Sequence, residues 1–359
     1  MNRYPILKQF IRETGGADQY DMLKIKYITG HNPDLVIYQD NIEIERIDLK
    51  KYNNFKDIPS KLKFDITIAA IVGIAGLEPT IQFSKQSKKI LLANKESIIC
   101  GWHILSKIIK KNKTELIPID SEHFSINQLT KDHKDDDVKK IYITASGGPF
   151  LRKTLKSFKK INAIEASKHP KWKMGKKISI DSATMMNKVF EIIEAKKIFD
   201  LSYKKLSILI HPKSYVHAII KFKNGLTKIV AHDTSMKIPI FNSLYSSNNF
   251  INSQRLNIKV LNNLEFKEIN YKRFPVIKIL NKLPQNSSLF ETILVSINDK
   301  LVELFLANKI KFTDISKKMH NILDLKELKK YKMIKPRKIN DIIFLNNKIR
   351  QKIEIKNKI

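Results

Sequence analysis

The sequence predicts an α/β protein with a mostly parallel sheet in its first half and helices in its last part. Three short apolar runs alternate with stretches of helical periodicity, which is typical of β-α-β units. These runs are residues 65–72, 89–93 and 114–119. From Leu289 onward apolar residues recur at helical spacing over 291–307, over 312–323 and in a lysine-rich helix through Lys352. The length of 359 residues fits two or three domains.

Turns rich in glycine or polar residues follow the three predicted strands. Residues 65–72 lead into Gly73-Ile74-Ala75-Gly76 and a helical pattern over 78–85, which indicates a strand, a tight turn and a helix. Asn94-Lys95-Glu96-Ser97 follows the second run, and Asp120-Ser121-Glu122-His123 follows the third. Ligands of open parallel sheets bind beyond the carboxyl ends of the strands, so we expect functional side chains in these turns.

The middle of the chain predicts further strands. Residues 140–145 read as a strand that ends in Ser146-Gly147-Gly148-Pro149, and 206–211 and 216–222 read as two more. Residues 252–285 have no clear period and are predicted to be a connection.

The chain carries 67 basic and 35 acidic residues, a formal charge of +32, which first suggests a nucleic-acid-binding protein. All but 8 of the basic residues are lysine, and no predicted helix collects them into one stripe. Base recognition and phosphate binding favour arginine, so the charge is better explained as lysine spread over a solvated surface. An anionic substrate is compatible with either interpretation.

Three features predict a soluble cytoplasmic protein. Cys100 is the only cysteine, so no internal disulfide can form. The first 16 residues lack the apolar stretch of a signal peptide. The longest apolar run, residues 66–77, is shorter than the roughly 20 residues that span a membrane.

Asp120 and Glu122 are two residues apart at a predicted strand end. If the extended backbone persists, their carboxylates point to the same side. Such a pair suits a hard divalent cation, provided that another part of the chain supplies a third oxygen. Two solvated loop acids are the alternative.

The stretch 179–194 combines a helical pattern with a polar face. Asp181 or Ser182 is predicted to cap the helix, so that its first amides can bind a phosphate. Asn187, Lys188 and Glu191 lie on neighbouring rows of one face, where they could hold a phosphate and reach a metal. An ordinary amphipathic helix explains the apolar residues but not this polar face.

Two loops complete the set of candidate residues. Ser146-Gly147-Gly148 offers a hydroxyl and free amides for a second phosphate contact. The loop from His169 to Gly175 contains Trp172, which either closes over a ligand as a lid or packs locally. His211 and His217 have no partners at zinc spacing, so we interpret them as orienting or structural residues.

Together these motifs resemble the 1-deoxy-D-xylulose 5-phosphate reductoisomerase family, in the family's order over about residues 63–315. The matching runs are Leu92-Ala93-Asn94-Lys95-Glu96-Ser97, Pro118-Ile119-Asp120-Ser121-Glu122-His123, Ala145-Ser146-Gly147-Gly148-Pro149-Phe150, His169-Pro170 with Trp172 and Met174-Gly175, residues 178–188, and His211-Pro212 with Ser214 and His217.

The resemblance implies a role for each matching residue. Asp120, Glu122 and Glu191 would hold Mg²⁺ or Mn²⁺. The substrate would contact Glu122 and Glu191. Its phosphate would contact Ser146, Ser182, Asn187 and Lys188, and the rest of the sugar would contact Lys95, Ser121 and His169. Of these, Lys95, Glu122 and His169 would be catalytic. Asn94, Glu96 and Gly175 would lie near NADPH, and Trp172 and Met174 would form the lid.

The resemblance also implies a fold and an activity. We expect an incomplete Rossmann-like amino-terminal domain, an α+β catalytic domain and a carboxy-terminal helical bundle, with residues 1–119, 120–251 and 286–359 as the domains and 252–285 as the connection. The activity would be the NADPH-dependent rearrangement and reduction of 1-deoxy-D-xylulose 5-phosphate to 2-C-methyl-D-erythritol 4-phosphate in isoprenoid synthesis. We expect a homodimer without a nucleic-acid or membrane partner.

Several positions depart from the family pattern. The family's amino-terminal Gly-Ser-Thr-Gly-Ser-Ile-Gly loop, which cradles the pyrophosphate of NADPH, is not found, because Gly15, Gly16 and Gly30 are the only glycines before Gly73. Val189 stands where the family keeps a small residue, Lys237 where arginine is usual, and Asn298-Asp299 where Asn-Glu is usual. Two alternatives therefore stay open: a truncated or misassigned start, and a sugar-phosphate-binding relative with impaired NADPH binding. A basic nucleic-acid-binding protein is a third alternative.

Overall fold

A computed structural model of the chain describes residues 34–39, 42–48, 58, 61–132, 137–170, 172, 174–245 and 250–356. The chain divides into two compact units, Met1–Lys63 and Phe64–Ile359. The described part of the first unit is an antiparallel hairpin of β1 (Asp34–Gln39) and β2 (Ile42–Asp48), which the sequence pattern did not predict. Gly15, Gly16 and Gly30 lie outside the described residues.

The second unit begins with the predicted β-α-β arrangement. Its three strands pair in parallel, in the order β3-β4-β5. The central strand β4 buries Ile90, Leu91 and Leu92, whereas Ile66 and Ile68 of β3 are exposed. The elements are β3 (Phe64–Ala69), α1 (Leu77–Ser84), β4 (Ser87–Leu92), α2 (Lys95–Asn112) and β5 (Glu115–Pro118). The predicted α/β class is confirmed.

A mixed four-stranded sheet follows, in the order β7-β6-β8-β9. Its strands are β6 (Val138–Ala145), β7 (Leu206–Ile210), β8 (Val216–Phe222) and β9 (Thr227–Ala231). The strand β6 runs parallel to β7 and antiparallel to β8, and β9 lies antiparallel to β8 at one edge. The sequence pattern predicted three of these strands and missed β9, whose short half-exposed run gives little apolar signal.

Six helices accompany this sheet in the described part of the chain. They are α3 (Ser121–Thr130), α4 (Ala163–Ala166), α5 (Lys176–Thr184), α6 (Met186–Ile198), α7 (Lys237–Leu244) and α8 (Ile258–Leu261). Two short 3₁₀ turns, Leu155–Lys160 and Tyr203–Lys205, lie among them. A further 3₁₀ turn, Ile74–Gly76, precedes α1.

The predicted helix over 179–194 is interrupted. Met185 adopts a left-handed conformation with φ 69°, so α5 ends before it and α6 begins after it. Asp181 and Ser182 therefore lie inside α5, and the prediction that one of them caps the phosphate-binding helix was wrong. The backbone amide of Met186 instead donates to the hydroxyl of Thr184, at 3.3 Å.

The carboxy-terminal part is helical, as predicted. It contains α9 (Leu289–Leu306), α10 (Phe312–Leu323), α11 (Lys326–Lys329) and α12 (Ile339–Lys356), with a 3₁₀ turn at Lys330–Met333. The predicted connection over 252–285 holds α8 and the 3₁₀ segment Pro275–Lys282, whose Val276, Ile277 and Ile279 are buried. Among the described helices, none is both long and apolar enough to cross a membrane.

A buried ammonium joins three helices of the second unit. The Lys197 Nζ, on α6, donates to the backbone carbonyl of Ile99 on α2, at 2.6 Å. The same Nζ lies 2.8 Å from a carboxylate oxygen of Glu291 on α9. The other oxygen of Glu291 accepts a hydrogen bond from the backbone amide of Ser288, which caps α9. Lys197 thus fixes α6 against both α2 and the carboxy-terminal helices.

Candidate active site

Two neighbouring strand ends place the first polar side chains of the site. Leu92 of β4 pairs with Pro118 of β5, so the turns after these strands are adjacent. Asn94 caps α2 and is followed by Lys95, while Asp120 caps α3 by accepting a hydrogen bond from the amide of Glu122, at 3.3 Å. The strand does not continue through Glu122 as predicted, because a helix begins at Ser121.

Helix α6 brings the third carboxylate to this edge. Glu191 is 1% exposed and lies with Asp120 and Glu122 so that one oxygen of each falls within 4.8 Å of the others. In the described part of the chain this is the one acidic, histidine or cysteine cluster with metal-ligand spacing. We refer to Asp120, Glu122 and Glu191 as the carboxylate cluster. The sequence analysis assigned the same three residues.

Two buried lysines neutralise the carboxylate cluster. The Lys95 ammonium pairs with Asp120 and lies 3.7 Å from Glu191. The Lys188 ammonium pairs with Glu122 and lies 2.5 Å from Glu191. Both ammoniums are therefore in contact with the oxygens that a divalent cation would use.

The pKa values of the three carboxyl groups differ because their neighbours differ. Burial raises the pKa of Asp120, but the Lys95 ammonium, His123 and the Lys188 ammonium together outweigh it and hold that pKa well below its ordinary value. Lys188 likewise lowers the pKa of Glu122 against the effect of burial. For Glu191, burial and the neighbouring Glu122 carboxylate raise the pKa to about 8. Without a cation, Glu191 thus keeps a proton at neutral pH.

His123 and Glu194 are members of the site whose contribution the sequence analysis missed. The His123 Nδ1 lies 3.2 Å from Asp120, and its Nε2 donates to the backbone carbonyl of Glu191, at 2.9 Å. Burial lowers the pKa of His123, but Glu194 and Asp120 raise it to about 9. Glu194 lies one helical turn beyond Glu191 and 3.4 Å from the Lys95 ammonium. Its spacing from Glu191 was a signal that both share a helix face.

The predicted phosphate-binding residues come from the turn after β6 and from helices α5 and α6. Gly148 has φ 68°, and a Cβ there would lie 3.0 Å from the Cα of Ala183 and from the carbonyl oxygen of Ser182. Only glycine lets the turn after β6 approach α5 this closely. Ser146 lies in this turn, and its hydroxyl accepts from the amide of Gly148, at 3.1 Å. Asn187, on α6, donates to Glu191.

His169 links the predicted lid to this turn. Its Nδ1 accepts a hydrogen bond from the amide of Trp172, at 2.9 Å, and its Nε2 lies 3.1 Å from the Ser146 hydroxyl. Burial and the Lys188 ammonium lower the pKa of His169 to about 4, so the ring is neutral at physiological pH. The Trp172 ring contacts His217 edge to face, with ring centres 6.2 Å apart. Met174 is half-buried.

The remaining predicted residues lie at or near the first strand ends. Ser121 donates to the Glu122 carboxylate. The Asn94 amide donates to the backbone carbonyls of Ile71 and Gly73, at 2.6 and 3.0 Å, and so holds the turn after β3. His211 donates to the carbonyl of Glu265, at 2.9 Å, away from the carboxylate cluster.

Lys177 connects the predicted cofactor residues. Glu96 is buried at the start of α2, and Gly175 precedes α5. The Lys177 ammonium lies 3.4 Å from Glu96, 3.1 Å from Asp181 and 3.1 Å from Asp299 on α9. Lys177 was not singled out from the many other lysines: its partner Asp181 is four residues away on the same helix, but Glu96 and Asp299 lie far away along the chain.

Family models cover most of the chain. The model described as 1-deoxy-D-xylulose 5-phosphate reductoisomerase matches residues 25–101. The model of the 1-deoxy-D-xylulose 5-phosphate reductoisomerase C-terminal domain matches 116–199, and that of the DXP reductoisomerase C-terminal domain matches 233–352. These matches extend beyond residues 63–315, the range over which the motifs carried the resemblance.

Curated relatives and solved structures agree with the family models. The chain is 56% identical over 315 residues to the 1-deoxy-D-xylulose 5-phosphate reductoisomerase of Pelagibacter ubique, covering 86% of this chain and 81% of the relative. It is 36% identical over 337 residues to that of Sulfurihydrogenibium, covering 93% and 87%.

Two solved structures are similar in fold as well as in sequence. A DOX-P reductoisomerase in complex with NADPH, fosmidomycin and magnesium has a TM-score of 0.76 and 34% identity, covering 85% of this chain and 78% of its own. The Zymomonas mobilis enzyme in complex with NADPH has a TM-score of 0.72 and 31% identity, covering 82% and 75%.

Proposed function

The chain belongs to the 1-deoxy-D-xylulose 5-phosphate reductoisomerase family, and we propose that the carboxylate cluster and its two lysines carry the family's reaction here. The protein is a metal-dependent NADP oxidoreductase of isoprenoid synthesis. It converts 1-deoxy-D-xylulose 5-phosphate to 2-C-methyl-D-erythritol 4-phosphate with NADPH and Mg²⁺ or Mn²⁺. The observation that supports the proposed location is the convergence of three carboxylates, of which Glu191 is buried and Asp120 and Glu122 are half-buried.

The donor set fits a hard divalent cation. Three carboxyl groups from two elements converge, and without a cation the Lys95 and Lys188 ammoniums pair with Asp120 and Glu122. Asp120, Glu122 and Glu191 would hold the metal, which when bound polarises the substrate's carbonyl and hydroxyl oxygens. His123 supports this arrangement, because it contacts Asp120 and the backbone of Glu191 and so holds α3 against α6.

The phosphate and the sugar are assigned to residues around the cluster. Ser146, Ser182, Asn187 and Lys188 would bind the phosphate, and Lys95, Ser121 and His169 the rest of the sugar. Support for Ser146 and Ser182 comes from Gly148, which allows their two segments to approach each other. Neutral His169 holds its proton on Nε2, facing Ser146, because its Nδ1 accepts from the Trp172 amide. Trp172 and Met174 would close over the site and exclude water.

Asn94, Glu96 and Gly175 are proposed to lie at the cofactor, which supplies hydride when bound. Asn94 holds the backbone of the turn after β3, and a Cβ at Gly175 would meet nothing within 4 Å, which leaves room for a ligand beside α5. The missing glycine loop favours a second candidate, a sugar-phosphate-binding relative with impaired NADPH binding. Titration of the purified protein with NADPH separates the two, because micromolar binding excludes this candidate.

Turnover is the direct test of the proposed site. Purified protein with 1-deoxy-D-xylulose 5-phosphate, Mn²⁺ and NADPH should consume NADPH, and the Glu122→Gln variant should not. Full activity of Glu122→Gln would overturn the assignment of the carboxylate cluster.

We also propose that the protein is a cytoplasmic homodimer. The strand β9 is an edge strand of the mixed sheet, and Ile229 on it is 47% exposed, with Leu226 54% exposed beside it. A second copy of β9 would cover these side chains and complete the edge. Light scattering after size exclusion should give a dimer. An Ile229→Lys variant should be monomeric, whereas Ile164→Lys, at an exposed position on α4, should not change the mass. A monomeric wild type would overturn the proposal.

The domain boundaries and the location are further proposals. We propose that residues 1–119 bind the cofactor, that 120–251 carry the catalytic site, and that 286–359 form the helical domain after the connection 252–285. We propose a reducing compartment because Cys100 is the only cysteine, so no internal disulfide can form.

A further inference from the structure

Lys95 and Lys188 occupy the carboxylate cluster in different ways. Lys188 contacts Glu122 and Glu191, and both are proposed metal ligands. Lys95 contacts Asp120 and Glu191 as well, but it also reaches Glu194, at 3.4 Å. Glu194 lies outside the cluster, so the Lys95 ammonium can stay paired with it when Asp120 coordinates a cation.

Helix α6 places Glu194 where it can pair with Lys95. Glu194 follows Glu191 by three residues on α6, so both carboxylates lie on the same face. Its side chain is 2% exposed, and its other charged neighbours are His123, Asp120 and Glu96. A carboxylate buried to this degree is costly to keep unless a cation contacts it.

A divalent cation and the two ammoniums compete for the same oxygens. Bringing the cation into the carboxylate cluster while both ammoniums stay would place three cations around three carboxylates. An ammonium that leaves needs another anion within reach, because an unpaired buried charge is strongly unfavourable. Lys95 has Glu194 for this purpose. For Lys188, the substrate phosphate is the anion that the proposed function provides.

We propose that Glu194 is a positioning residue that holds the Lys95 ammonium when a divalent cation occupies the carboxylate cluster. This inference rests on the proposed metal site. In the cation-free protein, Lys95 bridges Asp120 and Glu194. When the cation binds, Lys95 stays on Glu194, close to the sugar-binding position, and Asp120 becomes a metal ligand. Lys188 leaves Glu122 and turns to the phosphate, so cation and phosphate bind cooperatively.

Binding of Mn²⁺ alone, followed by electron paramagnetic resonance of the free ion, tests the role of Glu194. The Glu194→Gln variant should bind Mn²⁺ about tenfold or more weakly, which is the range for a residue that supports metal ligands. In a Lys95→Met background the same change should alter the affinity by no more than about twofold, since the competing ammonium is gone. The matched control is Asp181→Asn, a buried carboxylate that pairs with Lys177 instead. It should bind Mn²⁺ as the wild type does.

Each outcome has a distinct meaning. Wild-type affinity in a folded Glu194→Gln protein overturns the inference and leaves the proposed function intact. Absence of Mn²⁺ binding in the wild type overturns the metal site of the proposed function. An equal loss with and without Lys95 shows that Glu194 acts by its charge alone and also overturns the inference.

A second measurement does not depend on the Glu194 variants folding. Inorganic phosphate should tighten Mn²⁺ binding to the wild type by about tenfold, a coupling of ordinary size. The reason is that phosphate offers the Lys188 ammonium an anion in place of Glu122. The Lys188→Met variant should lose this coupling. Phosphate that has no effect on the wild type would overturn the proposed exchange of partners.

Discussion

The Lys177 ammonium lies 3.4 Å from the Glu96 carboxylate, and this contact ties the start of α5 to the start of α2. Lys177 follows the predicted lid loop by two residues, and Glu96 stands beside the proposed cofactor residue Asn94. The same ammonium also balances Asp181 and Asp299, which are buried or nearly so. The helix that follows the predicted lid and the proposed cofactor residue Glu96 are therefore joined by one ammonium.

Replacing Lys177 by Met should weaken cofactor binding. The change leaves Glu96, Asp181 and Asp299 without their shared cation, so the start of α2 loses its fixed position. We expect the KM for NADPH to rise about tenfold, and more than the KM for the sugar phosphate. Initial rates with each substrate varied in turn measure this. Lys176→Met, which changes an exposed neighbour, should leave both values unchanged. Equal increases in both KM values would contradict the prediction.

Glu122→Gln should lower kcat by on the order of a hundredfold or more, because a lost metal ligand removes several kcal/mol of charge stabilisation. Steady-state oxidation of NADPH gives the value. Glu165→Gln, in which a half-exposed surface pair with Lys153 is lost, should retain wild-type turnover. Comparison of the two variants distinguishes the loss of a proposed metal ligand from the general effect of removing a carboxylate.

Removal of the metal by a chelator should stop turnover without unfolding the protein. The Lys95 and Lys188 ammoniums neutralise the carboxylate cluster when no cation is present, so its buried charges stay paired. Thermal unfolding followed by circular dichroism should show a melting temperature within about 5 °C of the untreated protein. Added Mg²⁺ or Mn²⁺ should restore the rate. A large loss of helical signal on chelation would disagree with this expectation.

Lys188→Met should destabilise the metal-free protein by about 3 kcal/mol, the cost of removing one partner from a buried ion pair. Glu122 and Glu191 would then lack their ammonium, while Lys95 still contacts Asp120. Urea unfolding measures the difference in the free energy of unfolding. Mg²⁺ should recover part of the loss, because the cation takes the place of the missing charge. A variant as stable as the wild type would show that this pair contributes nothing.

The neutral state of His169 predicts a pH dependence of stability. Burial and Lys188 lower its folded pKa from 6.5 to about 4. Between these values the unfolded chain binds more protons, so the contribution of this residue is full above pH 6.5 and is lost as the pH falls toward 4. His169→Asn should remove about 1 kcal/mol of the acid destabilisation, after allowance for solvent screening. Urea unfolding at pH 4.5 and pH 7, repeated with the variant, gives the difference. An identical pH profile in both proteins would refute the assignment.

The sequence predicted elements whose apolar runs are short, continuous and separated by turns. Strands β3 to β5 and helices α1 and α2 were found in this way, whereas α3, which follows β5, was not predicted. The hairpin of β1 and β2, the edge strand β9 and helix α7 were missed. For β9 the reason is visible, since only part of each side chain is covered and the alternation is weak.

The three residues of the carboxylate cluster could be predicted from the sequence, but the backbone geometry that brings them together could not. Asp120 and Glu122 converge through the cap of α3, not through an extended strand. The break at Met185 was invisible because a left-handed conformation usually selects glycine or asparagine, and here a methionine adopts it. Contacts such as Lys95 with Glu194 join residues 99 positions apart, so only the fold reveals them.

The contacts of Lys197 make the carboxy-terminal helices necessary for positioning the residues of the proposed active site. Its ammonium is neutralised by Glu291, which lies at the start of α9. A chain that ended before Ser288 would retain every proposed substrate and metal residue and yet would leave this ammonium uncompensated beneath α6. Such a shortened chain should lose the register between α6 and α2, and with it the distance between Glu191 and Lys95. About the last fifth of the sequence, residues 288–359, is thus required to assemble the site although it contributes no proposed substrate or metal residue.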